Sequence, residues 1–223
     1  MKVTIKFLGV LIIATLLFQK IDAQTYIDED FEETGALHVP PQNWIPDINA
    51  EWWFFQNGGY DLPVGYHHPA TAHTGSFNAM FKTFGIATSK LASPPVDLRF
   101  SIKPVLTFWH AQELRASIND KLKIYYKTSP TASWILLENY TNPTSGWIKR
   151  EIILPDAAKT QTCQIAFEGS SQNLSWGVCI DDILLDERGN LPRQVESVSL
   201  IQNSYFIPSN SNTNPLGIIG ISV

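Results

Sequence analysis

The chain reads as an all-β protein of antiparallel strands, arranged as a sandwich or a barrel. Three observations predict this. Helical periodicity is scarce after residue 23, short alternating or apolar segments recur in its place, and Pro, Gly, Asn and Ser punctuate them. About nine such segments with turn signals between them suit a doubled or closed antiparallel sheet.

In chain order the first segments are "YIDEDFE" (26–32), "EWWFFQN" (51–57), "GSFNAMFK" (75–82) and "SKLASPPVDL" (89–98). Proline cannot donate to a β-ladder, so the pair Pro94 and Pro95 must lie at a strand end or edge. Next come "VLTFWHA" (105–111) and "KLKIYYK" (121–127), the latter sending Leu122, Ile124 and Tyr126 to one side and its lysines mostly to the other. "GWIKREIILP" (146–155), "QTCQIAFEG" (161–169) and "WGVCIDDILLD" (176–186) complete the set.

Three further regions flank this domain, which spans 24–187. Residues 1–23 have the layout of a signal peptide: Lys2 and Lys6, the apolar run "FLGVLIIATLLF", and "IDA" before Gln24. That run is shorter than the roughly 20 residues a membrane span needs. Export to the cell surface or the medium is therefore expected. Residues 188–196, polar with Gly and Pro, read as a linker. Residues 197–223 regain strand character in "VESVSLIQNSYFIP" and "NPLGIIGISV". They are too few for a second sandwich, so they read as the truncated start of a further β-rich module, or as strands added to a partner.

Charge narrows the function. The chain carries −5, and the leader holds three lysines against Asp22, so the exported part is more acidic still. No basic cluster appears beyond "KLKIYYK" and "IKRE", which argues against nucleic acid and anionic membranes as partners. Cys163 and Cys179 would sit in an oxidising compartment, in runs that read as neighbouring strands around "GSSQNLSW". A disulfide and two separately buried thiols both fit. A domain of about 160 residues buries roughly 70% of its unfolded surface and needs no covalent staple.

Asp181 and Asp182 lie inside a run whose neighbours belong in a core, where an uncompensated carboxylate costs several kcal/mol. "DEDFEE" (28–33) is equally acidic and equally embedded in a strand pattern. If the first and last strands of a jelly roll lie together, Asp30 or Glu32 could converge with Asp181 or Asp182. A structural calcium ion, taking six to eight oxygens, would resolve their repulsion. In the alternative, one aspartate of the pair faces water and the other caps a turn.

The ordered set "DFEE", "PQNW", "TAHTGSFNAMF", "KLASPPVDL", "PVLTFWH", "DKLKIYYKT", "SWILL", "GWIKREIILP", "IAFEGSS" and "WGVCIDDILLD" resembles a MAM-like domain. It is most similar to the bacterial cleaved-adhesin or choice-of-anchor J type, found in the haemagglutinin/adhesin domains of gingipain proteases. The resemblance covers residues 28–187. It implies a jelly-roll β-sandwich that binds structural calcium and serves adhesion or accessory binding, with Glu32, Asp181 and Asp182 as ligands. Asp30 stands on the residue reading. Animal MAM domains carry a larger cysteine set, which this chain lacks, so their cell-adhesion role does not transfer.

Other constellations are thinner. His67, His68 and His73 fall within "YHHPATAHTG", but the stretch is turn-like, with Pro69 and no helical zinc motif. Alternation in "EWWFFQNGGY" sends Trp52 and Phe54 one way and Trp53 and Phe55 the other. Trp52 or Trp53 could therefore offer a ring to a sugar, against a core role for both. Trp44, Trp109, Trp147 and Trp176 read as core or turn-packing residues. Glu113 could pair with a second carboxylate for glycoside hydrolysis, yet no nucleophile elbow, triad signature or phosphate loop is present. The expectation is a secreted, non-catalytic binding module for an extracellular protein, glycoprotein or polysaccharide. Its alternatives are an accessory domain of a larger secreted peptidase or glycosidase, and a carbohydrate-binding module proper.

Overall fold

In "KLKIYYK" every second residue is buried, so Leu122, Ile124 and Tyr126 face inward while the lysines stay at the surface. Strands of this kind stack in two antiparallel sheets. The computed structural model describes residues 24–33, 37–47, 50–61, 67–115, 117–172 and 175–187. The linker and tail expected at 188–223 lie outside the described residues, as does the leader at 1–23.

The described strands are β1 (Thr25–Glu29), β2 (Ile45–Pro46), β3 (Trp53–Gln56), β4 (Tyr60–Asp61), β5 (His67–His68), β6 (Asn78–Phe81) and β7 (Ile86–Ala92). They continue with β8 (Pro104–Ala111), β9 (Lys121–Lys127), β10 (Ile135–Tyr140), β11 (Ile148–Ile153), β12 (Gln164–Gln172) and β13 (Val178–Glu187). One sheet has the order β11-β8-β13-β6-β3, with β1 also paired to β13; the other runs β10-β9-β12-β7-β2, and β4 and β5 form a small pair. This is an antiparallel jelly-roll β-sandwich.

All nine predicted segments contain strand. Pro94 and Pro95 follow the end of β7, where no ladder N–H is required. The strand at β10 is an addition. Most of its residues are exposed, since it forms the edge of its sheet, and so it lacks the alternation that marks a half-buried strand.

Inward residues of the two sheets interlock. Phe108 of β8 meets Phe167 of β12 edge to face, with ring centroids 5.1 Å apart. Leu91, Leu106, Ile124 and Ile180 are fully buried around them. Each such side chain contributes about 1.5–3 kcal/mol. Gly169 of β12 leaves room for the Phe81 ring, which a Cβ there would meet at 2.1 Å.

The cysteines are unpaired, and the expectation that they sit on neighbouring strands is corrected. Cys163 precedes β12 and bridges to Val96, whereas Cys179 belongs to β13 in the opposite sheet. The chain crosses between sheets at the turn, so adjacency in sequence does not become adjacency in a ladder. Burial pushes the Cys163 thiol up to about 12 and raises that of Cys179 as well.

Candidate functional site

The site is built on an interruption in β13. On one edge of this strand β6 pairs with Val178–Ile180 and β1 with Ile183–Asp186. The end of β1 and the start of β6 therefore approach each other opposite Asp181 and Asp182. On the other edge, β8 places Trp109 opposite Asp181 and Thr107 opposite Leu184, so β13 carries one extra residue there. Asp182 absorbs this bulge with φ 46°, a left-handed conformation that aspartate tolerates better than most residues.

The bulge answers the problem of two charges in an apolar run. Strict alternation would send Asp182 into the core behind Ile180. The extra residue resets the phase, so Ile180, Ile183 and Leu185 all turn inward and are fully buried. Asp181 instead points to the outer face of the sheet. It is fully buried there, beneath the segment 73–77 that leads into β6.

That segment supplies the donors. Asp181 Oδ2 accepts the backbone N–H of His73 at 2.8 Å and that of Thr74 at 3.4 Å, and Oδ1 accepts the Asp182 N–H at 2.8 Å. The Thr74 hydroxyl donates to Asp182 Oδ1 at 2.5 Å, and His73 Nδ1 contacts Asp182 Oδ2. Glu32, just beyond β1, reaches the same segment from the other side. Its Oε1 accepts the N–H groups of Ser76 and Phe77, each at 2.7 Å. Gly75 lies between with φ 58°, and a Cβ there would come within 2.4 Å of the Glu32 carboxylate.

Burial is the main force that pushes the Asp181 carboxyl up to about 7. The neighbouring Asp182 charge adds to the effect, and the three backbone N–H groups oppose it. The His73 ring stacks on Trp109 at 3.7 Å between centroids and meets Trp147 edge-on at 6.1 Å. Trp147 in turn donates from Nε1 to the Thr71 carbonyl at 2.9 Å.

Of the predicted site residues, Glu32, Asp181 and Asp182 share one five-residue segment. Asp30 does not reach it in the same way: its Oδ1 accepts the Glu32 N–H at 3.1 Å and holds the turn after β1. The three histidines part company. His67 Nδ1 pairs with the Gly59 carbonyl at 2.9 Å, His68 Nδ1 with Glu113 Oε2 at 2.8 Å, and His73 with Asp182. Glu113 is thus partnered by a histidine rather than a second carboxylate. Among the described residues, no three His, Cys, Asp or Glu side chains gather closely enough to hold a metal ion by themselves.

Trp53 is corrected from a possible ligand contact to a core residue. It is fully buried against Phe81, and its Nε1 donates to Ser89 Oγ at 3.3 Å. Alternation leaves Trp52 and Phe54 half-buried at the surface, as its phase requires. Sequence reasoning weighed His73 only with the other two histidines and missed its contact with Asp182, as it missed Thr74 and the backbone donors, for which the stretch "AHTGSF" was the available signal.

The fold and site together define a jelly-roll β-sandwich domain whose first and last strands are neighbours. No protein-family model and no curated protein matches the chain. Among solved structures it is similar to two cleaved adhesin domains of Lys-gingipain from Porphyromonas gingivalis W83. The K3 domain is 17% identical with a TM-score of 0.52, covering 74% of this chain and 99% of that one. The K1 domain is 18% identical with a TM-score of 0.52, covering 74% and 100%. TmCBM61, solved with β-1,4-galactotriose, gives 15% identity and a TM-score of 0.49 over 73% of this chain and 97% of its own. At these identities the likeness is one of fold.

Proposed function

We propose that this chain is an exported, non-catalytic adhesion or binding module that takes an extracellular protein, glycoprotein or polysaccharide. The observation that carries the reading is the adhesin-type sandwich, matched over 99% of the K3 domain, with aromatic rings left partly open at its surface. Trp52, Phe54 and Trp176 are half-buried, and Phe84 is 71% exposed. Such rings have an apolar face that gains from being covered. Surface plasmon resonance against immobilised matrix proteins, together with a glycan array, tests the proposal. Saturable micromolar or tighter binding is expected, and no binding on either platform would overturn it.

Calcium belongs to the same proposal. Three carboxylates, Glu32, Asp181 and Asp182, surround residues 73–77, and one of them is buried beside a second negative charge. A hard divalent cation suits that donor set. No three His, Cys, Asp or Glu side chains among the described residues close on a point, so an ion beside Glu32, Asp181 and Asp182 would take one or two of these carboxylates and complete its shell with carbonyl oxygens and water. Calcium would neutralise the carboxylates and stabilise the folded chain by binding it in preference to the unfolded one. Protein residues do the rest of the work: the N–H groups of His73, Thr74, Ser76 and Phe77 hold the carboxylates in place, and Trp109 backs the His73 ring.

A further inference from the structure

A second feature lies on the other side of β6, away from the carboxylates. A groove of about 310 Å3 runs between the start of β3 and the turn after β6, with Trp52, Phe54, Phe84, His38, Glu51, Lys82 and Thr83 on its walls. We infer that this groove binds neutral pyranose units of a glycan. The inference rests on the binding-module reading above and names its ligand class.

Three rings are offered together because of how the strands run. Alternation in β3 buries Trp53 and Phe55 and so turns Phe54 and the preceding Trp52 toward the groove. The Lys82 N–H donates to the Trp52 carbonyl at 2.9 Å, which ties the turn carrying Phe84 to the base of β3. His38 packs on the Phe54 ring at 4.5 Å and its Nδ1 pairs with the Trp53 carbonyl at 3.1 Å, so its position is set by the scaffold. The volume is at the low end for a ligand site. It suits one or two sugar rings lying on a surface better than an enclosed small molecule.

The mixture of chemistries selects the occupant. A pyranose has an apolar C–H face for an aromatic ring and an outer rim of hydroxyls for polar groups. Trp52, Phe54 and Phe84 supply the first need; His38 and Glu51 bring polar groups to the same wall, while the Thr83 hydroxyl is held by Gly85. Charge excludes the acidic sugars. The lysine that lines the groove, Lys82, is buried and its ammonium is committed to the Ser175 carbonyl at 2.7 Å. A uronate or sialate would bring a carboxylate to a groove whose lysine is already engaged, beside the acidic Glu51.

The test titrates the full chain with hexamers of β-1,4-linked glucose, xylose, mannose and galactose, and with polygalacturonate as the acidic control. Tryptophan fluorescence and calorimetry give the readout. At least one neutral hexamer should bind, and Trp52→Ala and Phe84→Ala should each weaken it at least about tenfold. Phe84 is largely exposed, so its replacement should leave the melting temperature in place and keep the result interpretable. Binding of a neutral hexamer that ignores both substitutions would overturn the groove while leaving the binding-module reading intact. The groove also fails if polygalacturonate is preferred, or if only a protein ligand is found. A chain that binds no ligand of any kind would overturn both.

Discussion

The buried carboxylate of Asp181 accepts the backbone N–H of His73 at 2.8 Å, across 108 residues of chain. This bond joins the last strand of the sandwich to the segment that opens β6. Its removal should be costly because it leaves donors behind. Asp181→Ala strands the N–H groups of His73 and Asp182 in a covered site, and a loss of about 2–4 kcal/mol is expected. Asp181→Asn keeps one acceptor oxygen and discards the buried charge, so it should lose less. Urea denaturation of both variants measures this; a loss below about 1 kcal/mol for the alanine form would contradict it.

Gly75 and Glu32 should behave as a coupled pair. A Cβ at Gly75 displaces the Glu32 carboxylate from the Ser76 and Phe77 N–H groups and also strains a φ of 58°. Gly75→Ala is expected to cost more in the native chain than in a Glu32→Ala background, where only the backbone strain of about 1 kcal/mol remains. A double-mutant cycle reads the difference directly. Additive effects would mean the two residues do not interact.

His110 gives the protein a sensitivity to acid. The ring is fully buried, and its Nε2–H donates to Gln112 Oε1 at 2.9 Å while Nδ1 accepts from Arg150 Nε at 3.4 Å. Burial first, and the Arg150 charge second, lower its pKa from 6.5 to about 3. Above pH 6.5 the folded and unfolded states are both neutral and the stability from this site is complete. Below it only the unfolded chain takes up a proton, so stability falls by up to about 1.4 kcal/mol per pH unit until the folded ring titrates as well. The His110 contribution at about pH 5 should therefore lie about 2 kcal/mol below its value at about pH 7, while the raised Asp181 carboxyl acts in the opposite sense over the same window. The difference in pH dependence between the native chain and His110→Gln isolates this term, and identical pH dependence in the two would refute the assignment.

Calcium should register in the melting curve and in elemental analysis. Chelation with EDTA is expected to lower the melting temperature by several degrees, since an ion at about a hundred times its Kd adds about 2.7 kcal/mol. Asp182→Ala should abolish that response, and the purified protein should carry close to one calcium per chain. A melting curve indifferent to EDTA would leave the loop N–H groups as the whole answer to the carboxylates.

Much of the fold was legible because strand alternation is local. In "KLKIYYK" each buried residue follows a more open one, and β9 matches the predicted 121–127 at both ends. The edge strand β10 was less visible, since a strand with one side open to water needs no apolar stripe. At "WGVCIDDILLD" the pattern revealed that something unusual must happen but not what. A bulge looks like an ordinary run until the partner strand counts residues against it.

The amino-acid sequence alone determined the all-β class, the phase that separates Trp53 from Trp52, and the unusual charge at Asp181 and Asp182. Each follows from near neighbours and a two-residue period. Only the tertiary structure decided that β1 and β6 share an edge of β13, that Glu32 and His73 meet the aspartates at one segment, and that Cys163 and Cys179 lie in opposite sheets. Those outcomes depend on which distant backbones pair, and pairing is set by burial over the whole sandwich rather than by any stretch of a few residues.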